Sequence, residues 1–191
     1  MNDDTLPKWE AITREERYFT SFLFHELRAD IEPLWKKLRP LLKIDPQVSV
    51  IDIGYEVCFF RDMAFAELIE RHLDLEKQTF DLILTLSTGA FVIIEAKAQQ
   101  AFSTKQLDLI RNIKRDRLAS SKILHSRHHD IFLVGMCSSK SNCHKLNFDA
   151  VIRWQELADM YPRISRQLLR ADKIYDDRRK PKDATLNSSA G

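Results

Sequence analysis

The sequence predicts one α/β domain built on a mixed sheet, with a β-hairpin at its centre. Three observations carry that expectation. Two apolar runs over 80–86 and 90–97 are separated only by Ser87, Thr88 and Gly89, which makes an antiparallel hairpin. A third apolar run, over 130–137, reads as another strand. Segments of helical period lie before and after these strands, and 191 residues are enough for one well-cored domain but short for two.

Taken in order, Thr13 and Glu16 have the spacing of a capping box, so the first helix should begin near residue 14. Tyr18, Phe19, Phe22, Leu23 and Leu27 then recur at helical spacing. A second helix is predicted over 31–43, with Pro33 tolerable in its first turn and Pro40 able to kink it or end it early. The run 48–60 is rich in Val, Ile, Tyr and Phe and favours strand, and Gly54 within it suggests a bulge or a break. Short helices are predicted over 63–73, 154–160 and 163–171, and a longer one, capped by Ser103, to about residue 120. Residues 138–146 read as a polar loop. Residues 1–175 are thus assigned to the domain, and 176–191, almost without apolar residues, to a disordered tail.

Composition excludes several classes of function. Four glycines and no glycine-rich phosphate loop argue against a cradled nucleotide. No apolar run approaches the ~20 residues of a membrane span, and the polar, acidic first ten residues do not read as a secretory signal. Three cysteines, Cys58, Cys137 and Cys143, suit a reducing cytoplasm better than a disulfide framework, and Cys137, Cys143 and His144 lack the spacing of structural zinc. The group His125, His128 and His129 sits in a basic loop and is read as surface. The net charge of +2 conceals an asymmetry. Residues 103–129 carry seven basic against two acidic side chains and residues 161–182 eight against three, so the remainder is strongly acidic. Such an arrangement can draw a polyanion to one side, although solvated helix faces account for it equally well.

The chemistry concentrates on the hairpin. Side chains two apart on a strand share a face, so Glu95 and Lys97 project together, with Phe91 and Ile93 behind them. Asp81 begins the partner strand and, in an antiparallel hairpin, lies beside that end. Two converging carboxylates repel unless a cation joins them. Mg²⁺ suits the pair, since it prefers oxygen ligands and keeps several waters, and the Ala96 carbonyl offers a further oxygen. Mn²⁺ is an acceptable substitute. The lysine ammonium can stabilise phosphate charge or assist a water nucleophile. The alternative is a turn aspartate and an ordinary exposed Glu–Lys pair.

The order Asp81, then Glu95-Ala96-Lys97, on a hairpin followed by a helix, resembles the PD-(D/E)XK nuclease superfamily. Glu95-Ala96-Lys97 is the only acidic-x-lysine triplet in the chain, and Phe80 stands where the motif's proline would be. The resemblance implies a restriction-endonuclease-like α-β-β-β-α-β core over about 14–137, with extra N- and C-terminal helices. It also implies metal-dependent hydrolysis of nucleic acid, with Asp81 and Glu95 on Mg²⁺ and Lys97 assisting attack. An acidic residue from the first helix often joins the metal, and Glu26, which interrupts that helix's apolar face, is the candidate; the alternative is a boundary glutamate paired with a surface cation. Gln106, nine residues after the motif, is the candidate for holding water or phosphate, against a plain helix-surface glutamine. The missing QxxxY pattern, with Ile110 at the tyrosine position, favours endonuclease over exonuclease action. Arg111, Lys114, Arg115 and Lys122 form a stripe suited to backbone phosphates of nucleic acid, DNA before RNA. Asp52 and Glu56 share a strand face that could approach the site and are read as structural. The expectation is a cytoplasmic DNA endonuclease of restriction, repair or phage defence, acting as a homodimer or within a larger complex. The rivals are a catalytically silent binding module of the same fold and a subunit active only with its partner.

Overall fold

A computed structural model describes residues 15–67, 79–102, 108 and 131–177. Its elements are α1 (Glu16–Ala29), α2 (Glu32–Leu41), β1 (Val50–Val57), α3 (Phe59–Phe65), β2 (Phe80–Leu86), β3 (Phe91–Lys97), β4 (Ile131–Cys137), β5 (Ala150–Arg153), α4 (Trp154–Met160) and α5 (Ser165–Asp177). Short 3₁₀ turns occupy Cys143–Leu146 and Pro162–Ile164. The strands form one five-stranded mixed sheet in the order β1-β2-β3-β4-β5. β1, β2 and β3 run antiparallel in turn, whereas β4 and β5 are parallel to β3. The α/β class, the mixed sheet and the hairpin follow the expectation, and β3 lies at the centre.

Strand alternation divides the interior in two. Leu82, Leu84 and Leu86 of β2, Val92, Ile94 and Ala96 of β3, and Val134 and Met136 of β4 turn to one face. There they meet Phe19, Leu23 and Leu27 of α1, Leu34, Trp35 and Leu38 of α2, and residues of α4 and α5. Ile83, Phe91, Ile93, Ile131 and Leu133 turn to the other face, beside Phe59 and Phe60 of α3. A central strand must be apolar on both faces, and β3 is buried over its whole length up to Lys97.

Several boundaries differ from the sequence reading, each for a local reason. α1 begins at Glu16, not residue 14, and Glu15 holds the extended cap conformation. Glu16 is therefore the first helical residue, not the third position of a capping box. α2 runs through Pro40 and stops one residue later, because proline withholds a backbone donor only in a last turn that is ending anyway. Strand β1 is continuous past Gly54; its register shift falls between Val50 and Asp52. The helix after β1 starts earlier than expected, at Phe59, because Phe59 and Phe60 both pack into the second core, where Phe59 meets Phe80 at a ring separation of 6.2 Å. β5 was not anticipated: four residues paired to β4 are too few to show a period. α5 extends to Asp177, beyond the expected 171. Asp176 and Asp177, assigned to the tail, close this helix instead; the expected helix over 103–120 apart from Asp108, the rest of 63–73, and the tail after 177 lie outside the described residues.

The structure brings the sulfurs of Cys137 and Cys143 together, which the sequence reading did not pair; Cys58 stands apart from them. The turn after β4 returns the chain beneath the same core, and both residues are buried. The Arg153 Nη1 donates to the carbonyls of Ser138 (2.7 Å) and Ser141 (3.0 Å), which fixes that turn. Trp154, fully buried, donates its indole N–H to the Lys97 carbonyl at 3.0 Å. Among the described residues, no helix is long and apolar enough to cross a membrane.

The Trp154 bond ties the end of β3 to the helical layer. Trp154→Phe keeps most of the ring volume but leaves the Lys97 carbonyl without this donor. It should cost about 2 kcal/mol, or roughly 4–8 °C in melting temperature for a domain of this size. Calorimetry checks this, and an unchanged melting temperature would show that the carbonyl finds water instead.

Candidate active site

The sheet forks where the motif residues sit. Antiparallel pairing of β2 with β3 runs from Thr85↔Phe91 to Leu82↔Ile94 and is not continued beyond it. β2 goes on beside β1 as far as Val57↔Phe80. β3 goes on beside β4, with Glu95↔Gly135, Ala96↔Met136 and Lys97↔Cys137. Two strands that part in this way leave backbone groups at the fork without ladder partners, and a buried amide must find an acceptor. The Asp81 Oδ2 supplies it, accepting the Ala96 N–H at 2.7 Å. The N–H and C=O of one strand residue leave toward the same neighbour, so the Ala96 carbonyl also faces the Asp81 side.

Packing makes the fork dry. Phe80 just before Asp81 is buried against Phe59 and Phe60. Its aromatic bulk explains why a phenylalanine serves at this position. Glu95 is only 2% exposed. Its register neighbour is Gly135, where an added Cβ would meet the Phe148 ring at 2.7 Å. The small residue thus lets an aromatic ring close over the sheet next to Glu95. Lys97, one step further out, is half-buried.

The electrostatics identify which side chains share the site. Burial pushes the Asp81 carboxyl above the usual carboxylate range; the Ala96 N–H, Lys97 and Arg17 oppose this, and the charge of Glu16 adds to it. Burial also raises the Glu56 carboxyl, with Asp81 adding to the rise and Arg17 and Lys97 opposing it. Asp81, Glu95, Lys97, Glu16, Glu56 and Arg17 therefore surround one end of the sheet. One carboxylate oxygen each of Glu16 and Glu56 is buried and makes no hydrogen bond among the described residues. Glu56 has a φ of 51°, the left-handed region, which is uncommon for a residue with a Cβ and recurs at functional sites.

Sequence reading expects Asp81, Glu95 and Lys97 at one end of the hairpin; the structure joins Asp81 to the Ala96 N–H and to the charge of Lys97, and sets Glu95 and Lys97 on one strand. The sequence choice on the first helix is corrected. Glu26 lies beside Tyr161 and Asp30, where its charge helps raise the Tyr161 hydroxyl, and its carbonyl accepts the Asp30 N–H at 2.8 Å. Ten residues of helix, about 15 Å, separate it from Glu16, which is the α1 carboxylate that acts on Asp81. Glu56, read as structural, joins the site, whereas Asp52 is held 3.6 Å from Arg28. Gln106 and the stripe Arg111, Lys114, Arg115 and Lys122 lie outside the described residues, as do His125, His128, His129 and the His144 side chain.

A divalent cation fits the chemistry of this donor set. Four carboxylates face two cations, the central aspartate is penalised for its own charge, and the Ala96 carbonyl adds a neutral oxygen. Among the described residues, no three His, Cys, Asp or Glu side chains are drawn together as a ready-made ligand group. Comparison with protein-family models, curated proteins and solved structures returns no match.

The raised Asp81 carboxyl sets a sign for stability. A carboxyl whose folded pKa exceeds its unfolded value, about 3.9, favours the folded state fully only below that unfolded value. The contribution is lost as pH rises through the folded pKa. In EDTA at neutral pH, Asp81→Asn should therefore unfold at higher denaturant than the parent while still accepting the Ala96 N–H. The parent should gain on it as pH is lowered toward 4. Urea titrations at pH 4 to 8 check this, and a variant less stable at neutral pH would refute the burial penalty.

Proposed function

We propose that this protein is a Mg²⁺-dependent nuclease of the PD-(D/E)XK type with a restriction-endonuclease-like core. On this reading it hydrolyses phosphodiester bonds of nucleic acid, DNA being the first substrate to test, and cuts internally. The observation that carries the reading is the fork in the sheet. There Asp81 accepts the Ala96 N–H, feels the charge of Lys97 and is costly as an anion without a cation, and the reading adds Glu95 of the same strand as Ala96 and Lys97. An acidic residue on the first helix and a polar-ended central hairpin further support it, with Glu16 in the role first given to Glu26.

Asp81, Glu95 and the Ala96 carbonyl would hold the metal, and Glu16 would contribute directly or through water. When bound, Mg²⁺ supplies a Lewis acid that polarises the phosphate and acidifies water. Asp81 also closes the fork through the Ala96 N–H, so the same side chain fixes the backbone and presents Oδ1 to the site. Lys97 extends its ammonium from the face of Glu95 toward the place where phosphate charge develops, and Trp154 holds its backbone still. Phe80, Phe148 and the second core exclude water from the rear of the site, which strengthens each charge interaction within it.

Purified protein incubated with supercoiled plasmid in Mg²⁺, Mn²⁺ or EDTA tests the proposal. Metal-dependent nicking should occur and should vanish in Glu95→Ala. Lys97→Ala should bind the metal normally by calorimetry while losing roughly 10²–10³-fold in kcat. Absence of cleavage in either metal, with nucleic acid still bound, would favour a silent module or a subunit that needs its partner.

A further inference from the structure

The site contains a second cation, Arg17, set against the local preference of its helix. Arg17 occupies the second position of α1, in the first helical turn. The partial positive charge of a helix N-terminus disfavours a basic residue there and favours an acidic one. Its side chain is 71% exposed, and its Nε lies 3.2 Å from Glu56 Oε2. Its partner is only 22% exposed, so the pair runs from the solvent into the site. The pair is elaborately held. Glu56 adopts its left-handed φ of 51° at the last step before β1 ends. The Tyr55 hydroxyl, on the adjoining residue, donates to the Arg17 carbonyl at 3.0 Å and clamps the helix start to β1. Thr20, buried, donates to that carbonyl as well, at 3.3 Å.

With Nε turned to Glu56, the two terminal nitrogens of Arg17 make no hydrogen bond among the described residues. They stand on the solvent side of a site whose carboxylates Arg17 acts upon. A guanidinium fixed at one edge and open at the other presents a planar pair of donors, the geometry that matches two phosphate oxygens. Lys97, by contrast, rises from the buried strand beside Glu95, so the two cations approach the site from different elements.

Resting on the nuclease reading, we propose that Arg17 grips a backbone phosphate of the nucleic acid next to the cleaved bond. Glu56 is the positioning residue that aims it. Arg17 binds ground state and transition state alike, so its removal raises KM and leaves kcat largely intact. One lost phosphate contact also lowers the slope of log affinity against log salt by about 1.

The test uses the full chain with a fluorescein-labelled DNA duplex in Ca²⁺ to hold off cleavage, and with Mg²⁺ for kinetics. Circular dichroism confirms the fold of each variant. Arg17→Ala should weaken binding roughly tenfold, with the salt slope reduced by about 1. Glu56→Gln should weaken it less, and the double variant should bind no worse than Arg17→Ala, since both act through one contact. Arg17→Lys keeps the charge but not the fork and should fall between parent and Arg17→Ala. Unchanged affinity and slope in Arg17→Ala, while the parent cuts, would overturn the assignment of Arg17 alone. Additive losses in the double variant would overturn the role given to Glu56. A parent that neither binds nor cuts would overturn the nuclease reading and this inference with it.

Discussion

The hydrogen bond from the Ala96 N–H to the Asp81 carboxylate is the constraint on which the site depends. A sheet can part between two strands only if the freed backbone groups are satisfied, because a buried amide without an acceptor costs about 1–3 kcal/mol. Asp81 meets that demand with a side chain, so β3 can leave β2 and continue beside β4. The consequence is a wedge between the strands, lined by charge and backed by the aromatic groups of the second core. Without the bond, β2 and β3 would have reason to zip further, and the carboxylates would be forced into a closed ladder.

What gathers at this wedge runs against ordinary stability in several ways at once. A glutamate is almost wholly buried, an aspartate is charged at a cost, a second glutamate takes a left-handed backbone, and an arginine sits at the wrong end of a helix dipole. Each departure is tolerable, but they share one end of one sheet. Elsewhere the departures are scattered singly, as in the left-handed φ of Lys43, Glu67 and Asn147, while leucines alternate on β2, α1 and α2 bury one stripe each, and Tyr161 satisfies the Leu34 N–H of α2. Conflicts with local preference that cluster in this way are expected where function has set the sequence. The proposed nuclease chemistry gives them a common purpose, since a divalent cation and a phosphate would relieve the charge.

Much of the fold was legible because strong periods survive in single segments. The hairpin showed itself in two apolar runs and a three-residue turn, and α1 in five apolar residues at helical spacing. β5 escaped because its alternation, with only Ala150 and Ile152 turned to the first core, is too short to stand out in four residues. The approach of Cys137 and Cys143 escaped because six residues of separation say nothing about a turn that folds back under β4. Glu16 escaped for a more instructive reason. Three residues after a threonine, it had a sufficient local explanation as a cap, whereas Glu26 seemed to need one because it broke an apolar stripe. Starting the helix at Glu16 reverses both readings: Glu16 turns to the fork, and Glu26 finds a polar neighbourhood at Tyr161.

By itself, then, the sequence determined the α/β class, the central hairpin and the end of that hairpin at which Asp81, Glu95 and Lys97 stand. All three follow from strand alternation and antiparallel register, which are local and periodic. Only the tertiary structure decided which carboxylate of α1 comes to them, that Glu56 and Arg17 join, and that the strands part to make room. Those depend on where a helix begins and how it lies across a sheet. Glu16 and Glu26 lie about 15 Å apart along one helix, and no pattern within the helix records which neighbour each side chain will meet.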